Sequence, residues 1–463
     1  MSGGRPNRKT VGVQPARRVA FEVIRAVRES DAYANLLLPV KIERAGLGPA
    51  DAGLATELTY GTLRLQGYYD AVISLAAGRD TAKIDPPILD VLRLATHQLL
   101  SMRVAQHAAV DEAVSQAREV GSQSATGFVN GVLRGITRTP AEEWRQRVLD
   151  SARTDDERLS LEFSHPVWVV RALRQALAAE SRGDELQALL AADNVAPKVS
   201  LVALPGLASA EEVAGAVPAR FSPLAAINDG GDPTRMLPVR EGRVRVQDEG
   251  SQLAALALSR ARPVEPGEQW LDMCAGPGGK AALLAAEASQ SGAVLTANEV
   301  VPARAELVRK ALAALPTPPE VSELDGRDIG PQMPDRFDRI LLDAPCTGLG
   351  ALRRRPEARW RKQPRDVPAL SSLQAELLAS GLEALKPGGL LAYVTCSPHL
   401  AETRLVVGTA LKKAGLSLVD AREVLDRITL EPLDLGVSDG TVQLWPHRHG
   451  TDAMFICLIT KDR

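Results

Sequence analysis

The chain has 463 residues, 45% hydrophobic and 24% charged, which excludes wholesale disorder. At roughly 150 residues per domain it should hold about three cores. Lys and Arg number 55 against 57 Asp and Glu, a formal charge of −2, so a polyanionic partner would have to meet a local basic patch. The four cysteines, Cys274, Cys346, Cys396 and Cys457, are too few for a disulfide framework and too dispersed for metal-ligand spacing, so no metal is expected.

The N-terminal MSGGRPNRKTVGVQPARR is polar and basic, with no apolar stretch of signal type. No run approaches the ~20 apolar residues needed to span a bilayer. A soluble, cytoplasmic chain without a membrane partner is expected. Residues 15–140 read as helical. Ala16, Val19, Ala20, Val23, Ile24 and Val27 recur at the spacing of one buried helix face. Pro86 and Pro87 open a second apolar pattern running to Leu99, and Phe128, Val132, Leu133 and Ile136 mark a third. The net charge over residues 1–140 is +4, compatible with RNA binding and equally with plain packing.

Between 140 and 165 the pattern weakens and charges cluster, which suggests a linker or connecting helices. Residues 197–247 carry Pro, Gly and short β-branched runs (KVSLVAL, GRVRVQ), the texture of a small α+β module. From about 250 strands alternate with helices. Strands are expected at Trp270–Met273, Ala293–Ala297, Arg339–Leu342 and Leu390–Val394. Helices are expected after Gly279, over Ala303–Ala313 and over Leu370–Leu385. Such alternation predicts a parallel sheet, whose ligands sit at the carboxyl ends of the strands. The expected division is a helical domain over 1–140, a linker and α+β RNA-recognition module over 141–245, and an α/β Rossmann-like domain over 246–463.

The chemistry should lie just past each strand. After the first comes Asp272-Met273-Cys274-Ala275-Gly276-Pro277-Gly278-Gly279-Lys280, where glycines let backbone approach a ligand and a helix N-terminus offers free N–H groups. The second strand ends at Asn298-Glu299, placing an acid where ribose hydroxyls are bound in nucleotide folds. A plain tight turn is the competing explanation, and these residues do not separate a dinucleotide from S-adenosylmethionine.

Two cysteines do separate them. Asp343-Ala344-Pro345-Cys346 and Thr395-Cys396-Ser397-Pro398 each follow a strand, so both thiols fall on the edge that carries the glycine loop. A packing cysteine belongs inside a strand or on an apolar helix face, and a pair at the ligand edge suits covalent catalysis. Cys274 is expected to pack within its loop, and Cys457, in an apolar terminal run, to be core. The stretch from Arg353, Arg354 and Arg355 through Arg359, Trp360 and Arg361 to Arg365 holds seven basic residues and one acid. A charge run is usually a solvated face. The stacking-capable Trp and the position just after the Cys346 loop favour RNA contact by these residues instead.

These motifs resemble the RNA cytosine-5 methyltransferases of the Sun/Fmu (RsmB) family. The resemblance rests on VQDEGSQ at 246–252, the DMCAGPGGK loop, Asp325-Gly326-Arg327, FDRILLDAPCTG, RRRPEARW, LKPGG and YVTCSP, and in the helical half on DAYANLLLP, ELTYGTLR and FVNGVLRGI, which look like a NusB-like domain. It implies S-adenosylmethionine as cofactor, small-subunit ribosomal RNA as partner and a monomeric enzyme that methylates cytosine C5. Transfer or large-subunit RNA as substrate, or a non-catalytic RNA-binding assembly factor, are the alternatives. By resemblance Cys396 is the nucleophile that adds to C6, Cys346 assists breakdown of the adduct, Asp343 holds the cytosine N3 edge, and Lys280 lies near the cofactor carboxylate or the target nucleotide. The loop Cys274–Lys280, with Glu299 on the ribose, Asp325 on the adenine edge, Arg304 in support and Asp343, would hold the cofactor. Two departures stand out. Gly276 and Ala281 replace the family's usual Ala and Thr, which should loosen the loop yet leave its backbone donors intact. Asp452-Ala453-Met454-Phe455 replaces the usual DGFF, at a position expected on the rim of the site.

Overall fold

The computed structural model describes residues 13–30, 32–213, 216–437 and 439–463. The basic leader over 1–12 lies outside these residues. The chain divides into two compact units. One comprises residues up to Val170 together with Arg354–Arg361, and the other Arg171–Arg353 with Lys362–Arg463.

The first unit is helical. Its helices include Pro15–Ser30, Ala34–Arg44, Pro49–Arg64, Gln66–Ala77, Pro86–Ser101, Gln106–Val120 and Gln123–Thr137. The apolar faces expected on three of them are buried, with Ala20, Val23, Val91, Leu92 and Leu133 fully enclosed in one core. Pro86 and Pro87 start their helix where a missing N–H costs nothing. Of the two expectations for residues 140–165, connecting helices hold. These residues form the helices Ala141–Asp150 and Asp155–Phe163, the first burying Trp144, Val148 and Leu149. The clustered charges occupy the solvent side: Glu142, Glu143 and Arg147 flank a narrow apolar stripe.

The segment Arg354–Arg361 belongs to this helical unit although its sequence neighbours do not. Arg359 is fully buried, and its Nη1 donates to the carbonyls of Arg64 at 2.8 Å and Ser164 at 3.1 Å. Glu357 accepts from Ala34 N at 3.2 Å. Arg361 donates to the Ala32 carbonyl and, with Arg355, lies over the Tyr33 ring. Trp360 packs so closely on Gly67 that a Cβ there would fall 2.6 Å from the indole.

The second unit contains two sheets. Strands β1 (Val199–Ala203), β2 (Ala216–Pro218), β3 (Ala225–Asn228) and β4 (Val244–Val246) make an antiparallel sheet in the order β2-β3-β1-β4. Here the two β-branched runs noted in the sequence pair directly, Leu201 opposite Val246. The larger sheet runs β5 (Gln269–Asp272), β6 (Val294–Asn298), β7 (Glu320–Ser322), β8 (Phe337–Asp343), β9 (Leu385–Thr395), β10 (Leu416–Val419), β11 (Val442–Gln443) and β12 (Phe455–Lys461). Its order is β10-β12-β9-β8-β5-β6-β7, with β11 on β12. Strands β5 to β9 are parallel and β12 joins antiparallel. The helices Gly279–Ser291, Pro302–Leu312 and Val367–Ala384 connect them. This is the Rossmann-like sheet expected. Because β6 and β8 flank β5 on opposite sides, the crossovers diverge at the end of β5 and open a crevice there. The division thus falls at 170/171, with the small sheet inside the second unit and one core cluster holding Val202 and Phe221 along with Leu283 and Leu341. The expected boundaries at 140/141 and 245/246 followed texture changes in the sequence rather than compactness.

Arg359→Met should leave the Arg64 and Ser164 carbonyls without this donor and destabilise the protein by about 2–4 kcal/mol. Guanidinium unfolding of the full chain checks this, and a change within about 0.5 kcal/mol would contradict the bracing role.

Candidate functional site

The edge at the carboxyl ends of β5, β8 and β9 gathers the predicted catalytic residues. Strands β8 and β9 run in parallel with Asp343 opposite Val394, so the loops that follow them start level. The Cys346 loop turns back at Gly350, whose N–H donates to the Cys396 carbonyl at 2.8 Å. A side chain at Gly350 would fall 2.1 Å from the Ala453 carbonyl, so that close approach needs glycine. The result brings Cys346 Sγ and Cys396 Sγ to 3.5 Å.

Lys280, in the first turn of the helix after the glycine loop, donates through Nζ to Asp343 Oδ2 at 2.8 Å. Burial disfavours its charge, but Asp343, Cys396 and Asp272 outweigh that and raise its pKa. The Cys346 thiol is driven well above its ordinary value by its hydrogen bond with Cys396, by burial and by the charge of Glu402. Cys274 packs against the apolar core as expected, its thiol pushed up by burial and nearby carboxylates. Cys457 is fully buried within β12.

The glycine loop is built by steric necessity. Gly278 has φ of +101°, and a Cβ there would lie 2.5 Å from Ala311 Cβ. Glu299 is almost fully buried, accepts from Gly276 N at 3.2 Å and from Val301 N at 3.0 Å, and pairs with Arg304 at 3.3 Å. Arg304 in turn donates to the Gly276 carbonyl at 2.8 Å. The extra glycine therefore does not leave its backbone donor free; Gly276 N–H is committed to Glu299. A Cβ at Gly276 would come 2.2 Å from Glu299 Oε2, so the glycine makes room for the acid. Pro277, Ala275 and Gly279 complete the loop, and Gly279 begins the helix. Asp325 caps the helix Gly326–Gln332 and is held down to about 2 by the Arg327 side chain and backbone N–H.

Other residues lie elsewhere than expected. Of the basic stretch proposed for RNA, Arg359 is sealed inside the helical unit, Arg361 is spent on a backbone carbonyl, and Arg353 is buried, donating to the Gly450 carbonyl at 2.8 Å. Arg354 is half-buried, and Arg355, Trp360 and Arg365 are exposed. The segment is a brace first, because planar guanidiniums satisfy carbonyls that would otherwise be stranded. Ala453 and Met454 are also not at a rim. Both are buried, and Ala453 N donates to the Gly350 carbonyl at 2.8 Å.

Two important acids went unassigned in the sequence. Asp272 ends β5, is fully buried, and makes no well-formed hydrogen bond through either carboxyl oxygen. Burial, then the neighbouring Asp343 charge, lift it to about 8 despite the opposing pull of Lys280. Glu402 is fully buried six residues past Cys396. It accepts from Thr347 N at 2.7 Å, Thr347 Oγ1 at 2.5 Å, Ser397 Oγ at 2.6 Å and Gln374 Nε2 at 3.3 Å. A carboxylate this close to a TCS motif was the available signal, but nothing in spacing alone shows that it faces inward. Among the described residues no group of three or more His, Cys, Asp or Glu could hold a metal, and no helix is long and apolar enough to cross a membrane.

The sheet order, the glycine loop at the switch point and the paired strand-end thiols define the methyltransferase class of Rossmann-like proteins. Residues 261–460 match the family model described as 16S rRNA methyltransferase RsmB/F, and residues 14–138 match the NusB family. A Mycobacterium tuberculosis protein, MT1451, named as a methyltransferase, is 49% identical over 97% of this chain and 97% of its own. The ribosomal RNA small subunit methyltransferase B of Pseudomonas putida is 32% identical over 89% of this chain and 91% of its own. Among solved structures, PH0851 is 25% identical, covers 98% of this chain and 100% of its own, and superposes with a TM-score of 0.80. The chain belongs to the ribosomal RNA small subunit methyltransferase B family, with its NusB-type helical domain.

Two outcomes test the site's construction. The folded pKa of Asp272 lies above its unfolded value, so the native state retains a proton that the unfolded chain loses. Stability should therefore fall as pH rises from about 4 to about 8, by up to about 1.4 kcal/mol per unit, and Asp272→Asn should flatten that slope in urea titrations. Gly276→Ala should cost about 1–3 kcal/mol by crowding Glu299. Pairing it with Glu299→Asp, one methylene shorter, should recover most of the loss, whereas simple additivity in thermal melts would refute the steric coupling.

Proposed function

We propose that the protein transfers a methyl group from S-adenosylmethionine to C5 of a cytosine in small-subunit ribosomal RNA, through a covalent adduct with Cys396. The observation that carries this reading is the pair of thiols 3.5 Å apart beside the Lys280–Asp343 ion pair, at the carboxyl edge of the sheet. Cytosine C5 is too weak a nucleophile to take a methyl group unaided, and a thiolate adding at C6 is the covalent route that activates it.

The residues fit the cofactor. The glycine loop brings backbone close where Cβ atoms would clash, and the helix starting at Gly279 presents its N-terminus to the crevice. Asp272, buried and short of partners, is suited to receive an ammonium group. Glu299 would hold ribose hydroxyls, supported by Arg304, and Asp325 would meet the adenine edge. When bound, S-adenosylmethionine supplies an electrophilic methyl group.

The protein's own groups do the rest. Asp343, positioned by Lys280, would hold or, as its acid form, protonate the N3 edge of the cytosine, and that proton makes the ring electrophilic. Cys396 sulfur forms a bond to C6, and the C5–C6 electron pair becomes available at C5. Once C5 is methylated its proton leaves with Cys346 assisting, the C5–C6 double bond re-forms, and the C6–S bond breaks to release Cys396 as thiolate. Small-subunit RNA is favoured over other RNAs by the NusB-type helical domain and by relatives named for that substrate. Of the basic stretch, Arg355, Trp360 and Arg365 retain exposure for RNA contact.

Tritiated S-adenosylmethionine with undermodified small-subunit RNA provides the test. Cys396→Ala should transfer nothing, and Cys346→Ala should accumulate a protein–RNA adduct stable to denaturing gels. Full activity in Cys396→Ala would overturn the mechanism. Label entering transfer RNA alone would overturn the substrate.

A further inference from the structure

The paired thiols are capable of a chemistry that methyl transfer does not use. Cys346 Sγ and Cys396 Sγ are 3.5 Å apart, and both side chains are half-buried, so small solutes can reach them. A disulfide holds its sulfurs at about 2.05 Å, so each would advance by less than about 1 Å to form one. Cys457, by contrast, is fully buried within β12, and Cys274 packs against the apolar core.

Distance alone would mean little if the loops carrying the sulfurs were free to drift, but they are tied together at several points. Gly350 N–H, beyond Cys346 in its loop, donates to the carbonyl of Cys396 itself at 2.8 Å. Thr347 Oγ1 lies 3.0 Å from Ser397 Oγ, joining the residue after one cysteine to the residue after the other. The fully buried Glu402 carboxylate accepts from Thr347 N at 2.7 Å and from Ser397 Oγ at 2.6 Å, gripping both loops alike. Gln374 Nε2 donates to the Pro345 carbonyl at 2.8 Å and to Glu402 at 3.3 Å, which fixes the residue before Cys346. Backbone and buried hydrogen bonds thus hold the sulfurs at contact distance, and their encounter costs little further entropy. Two thiols so held are the arrangement in which oxidation of one is resolved by the other.

We propose that Cys346 and Cys396 are a modification site, closing into a reversible intrachain disulfide when a hydroperoxide reaches them and so sparing both sulfurs from irreversible oxidation. The thiolate of either residue attacks a peroxide oxygen, the O–O bond breaks, and a sulfenic acid forms as water or an alcohol departs. The neighbouring sulfur, as thiolate, then attacks the sulfenic sulfur. The S–S bond forms, the S–O bond breaks, and hydroxide takes a proton and leaves as water. The two thiols have lost two electrons and two protons, which the peroxide has taken up. A soluble dithiol reverses the change by exchange through a mixed disulfide. While the disulfide is closed, neither sulfur can add to a cytosine ring. That consequence for catalysis rests on the function proposed above, but the disulfide itself needs neither RNA nor cofactor.

Stepwise hydrogen peroxide on the full chain, without RNA or cofactor, tests this by mass spectrometry of alkylated, unreduced peptides. The Cys346 and Cys396 peptides should disappear together into one linked species lacking two hydrogens, in a protein that still runs as a single chain on non-reducing gels. Dithiothreitol should return both thiols. Links from either residue to Cys274 or Cys457 should be at least about ten-fold rarer. In Cys346→Ala, which removes the resolving partner, Cys396 should accumulate sulfinic acid that dithiothreitol does not recover, at least about five-fold above the wild type. Thiols that oxidise separately, stay unlinked or bridge two chains would overturn the inference, and so would equal sulfinic acid with and without Cys346. In the RNA assay, methyl transfer should fall with the linked fraction and return with dithiothreitol. A fully linked protein that still transfers would refute the closure of the site. No transfer even from reduced protein would instead sink the proposed function and leave the linked peptide standing.

Discussion

The register of β8 against β9 is the constraint on which the site depends. Asp343 stands opposite Val394, so each strand delivers its cysteine loop to the same height above the sheet. Parallel pairing fixes this over five consecutive positions, Arg339 to Asp343, and the burial of Leu341, Leu342, Ala392 and Tyr393 enforces it. A slip of one residue would turn each of these side chains to the opposite face and move the loop by about 3.3 Å, as far as the two sulfurs are apart. The specificity of the chemistry is therefore stored in ordinary hydrophobic packing well below the reacting atoms.

Electrostatics then refine what packing has placed. Within a short span the edge holds Asp272, Asp343 and Glu402 as acids, Lys280 as the cation beside the first two, and two thiols. Such a concentration of buried ionisable groups destabilises the fold locally, and each is held by a different element: a strand end, a helix first turn, and the turn after β9. Dividing the acids among separate elements lets each environment differ. Asp272, lacking good partners, keeps its proton into the neutral range, whereas Asp343 is paired with an ammonium.

The sequence was most legible where function demands unusual local chemistry. Glycines before a helix, an acid after the next strand and cysteines just past strand ends are each costly as packing, and each lies at the expected edge. It was least legible where a residue type has a common alternative use. Seven basic residues in thirteen normally mark a solvated or nucleic-acid face, yet Arg359 is buried here because two carbonyls need its donors. Glu402 is a polar residue in a polar loop, and its inward direction follows from Thr347, 55 positions earlier, meeting it beside the nearby Ser397. Gly276 read as looseness and proved to be clearance for Glu299, a pairing between positions 23 apart that no single motif displays. The helices of 141–163 were obscured because their buried stripe is narrow and their charges numerous.

The insertion of Arg354–Arg361 into the helical unit has a consequence for biosynthesis. A growing chain releases its N-terminus first, at about 5–20 residues per second, and a contiguous domain can close as soon as its last residue emerges. Here the helices up to Val170 are made long before their final piece, which arrives after more than 180 further residues. Until then the Arg64 and Ser164 carbonyls have no guanidinium, and the Gly67 surface has no indole to cover it. Completion of the helical unit thereby follows synthesis of the Cys346 loop and precedes synthesis of Cys396.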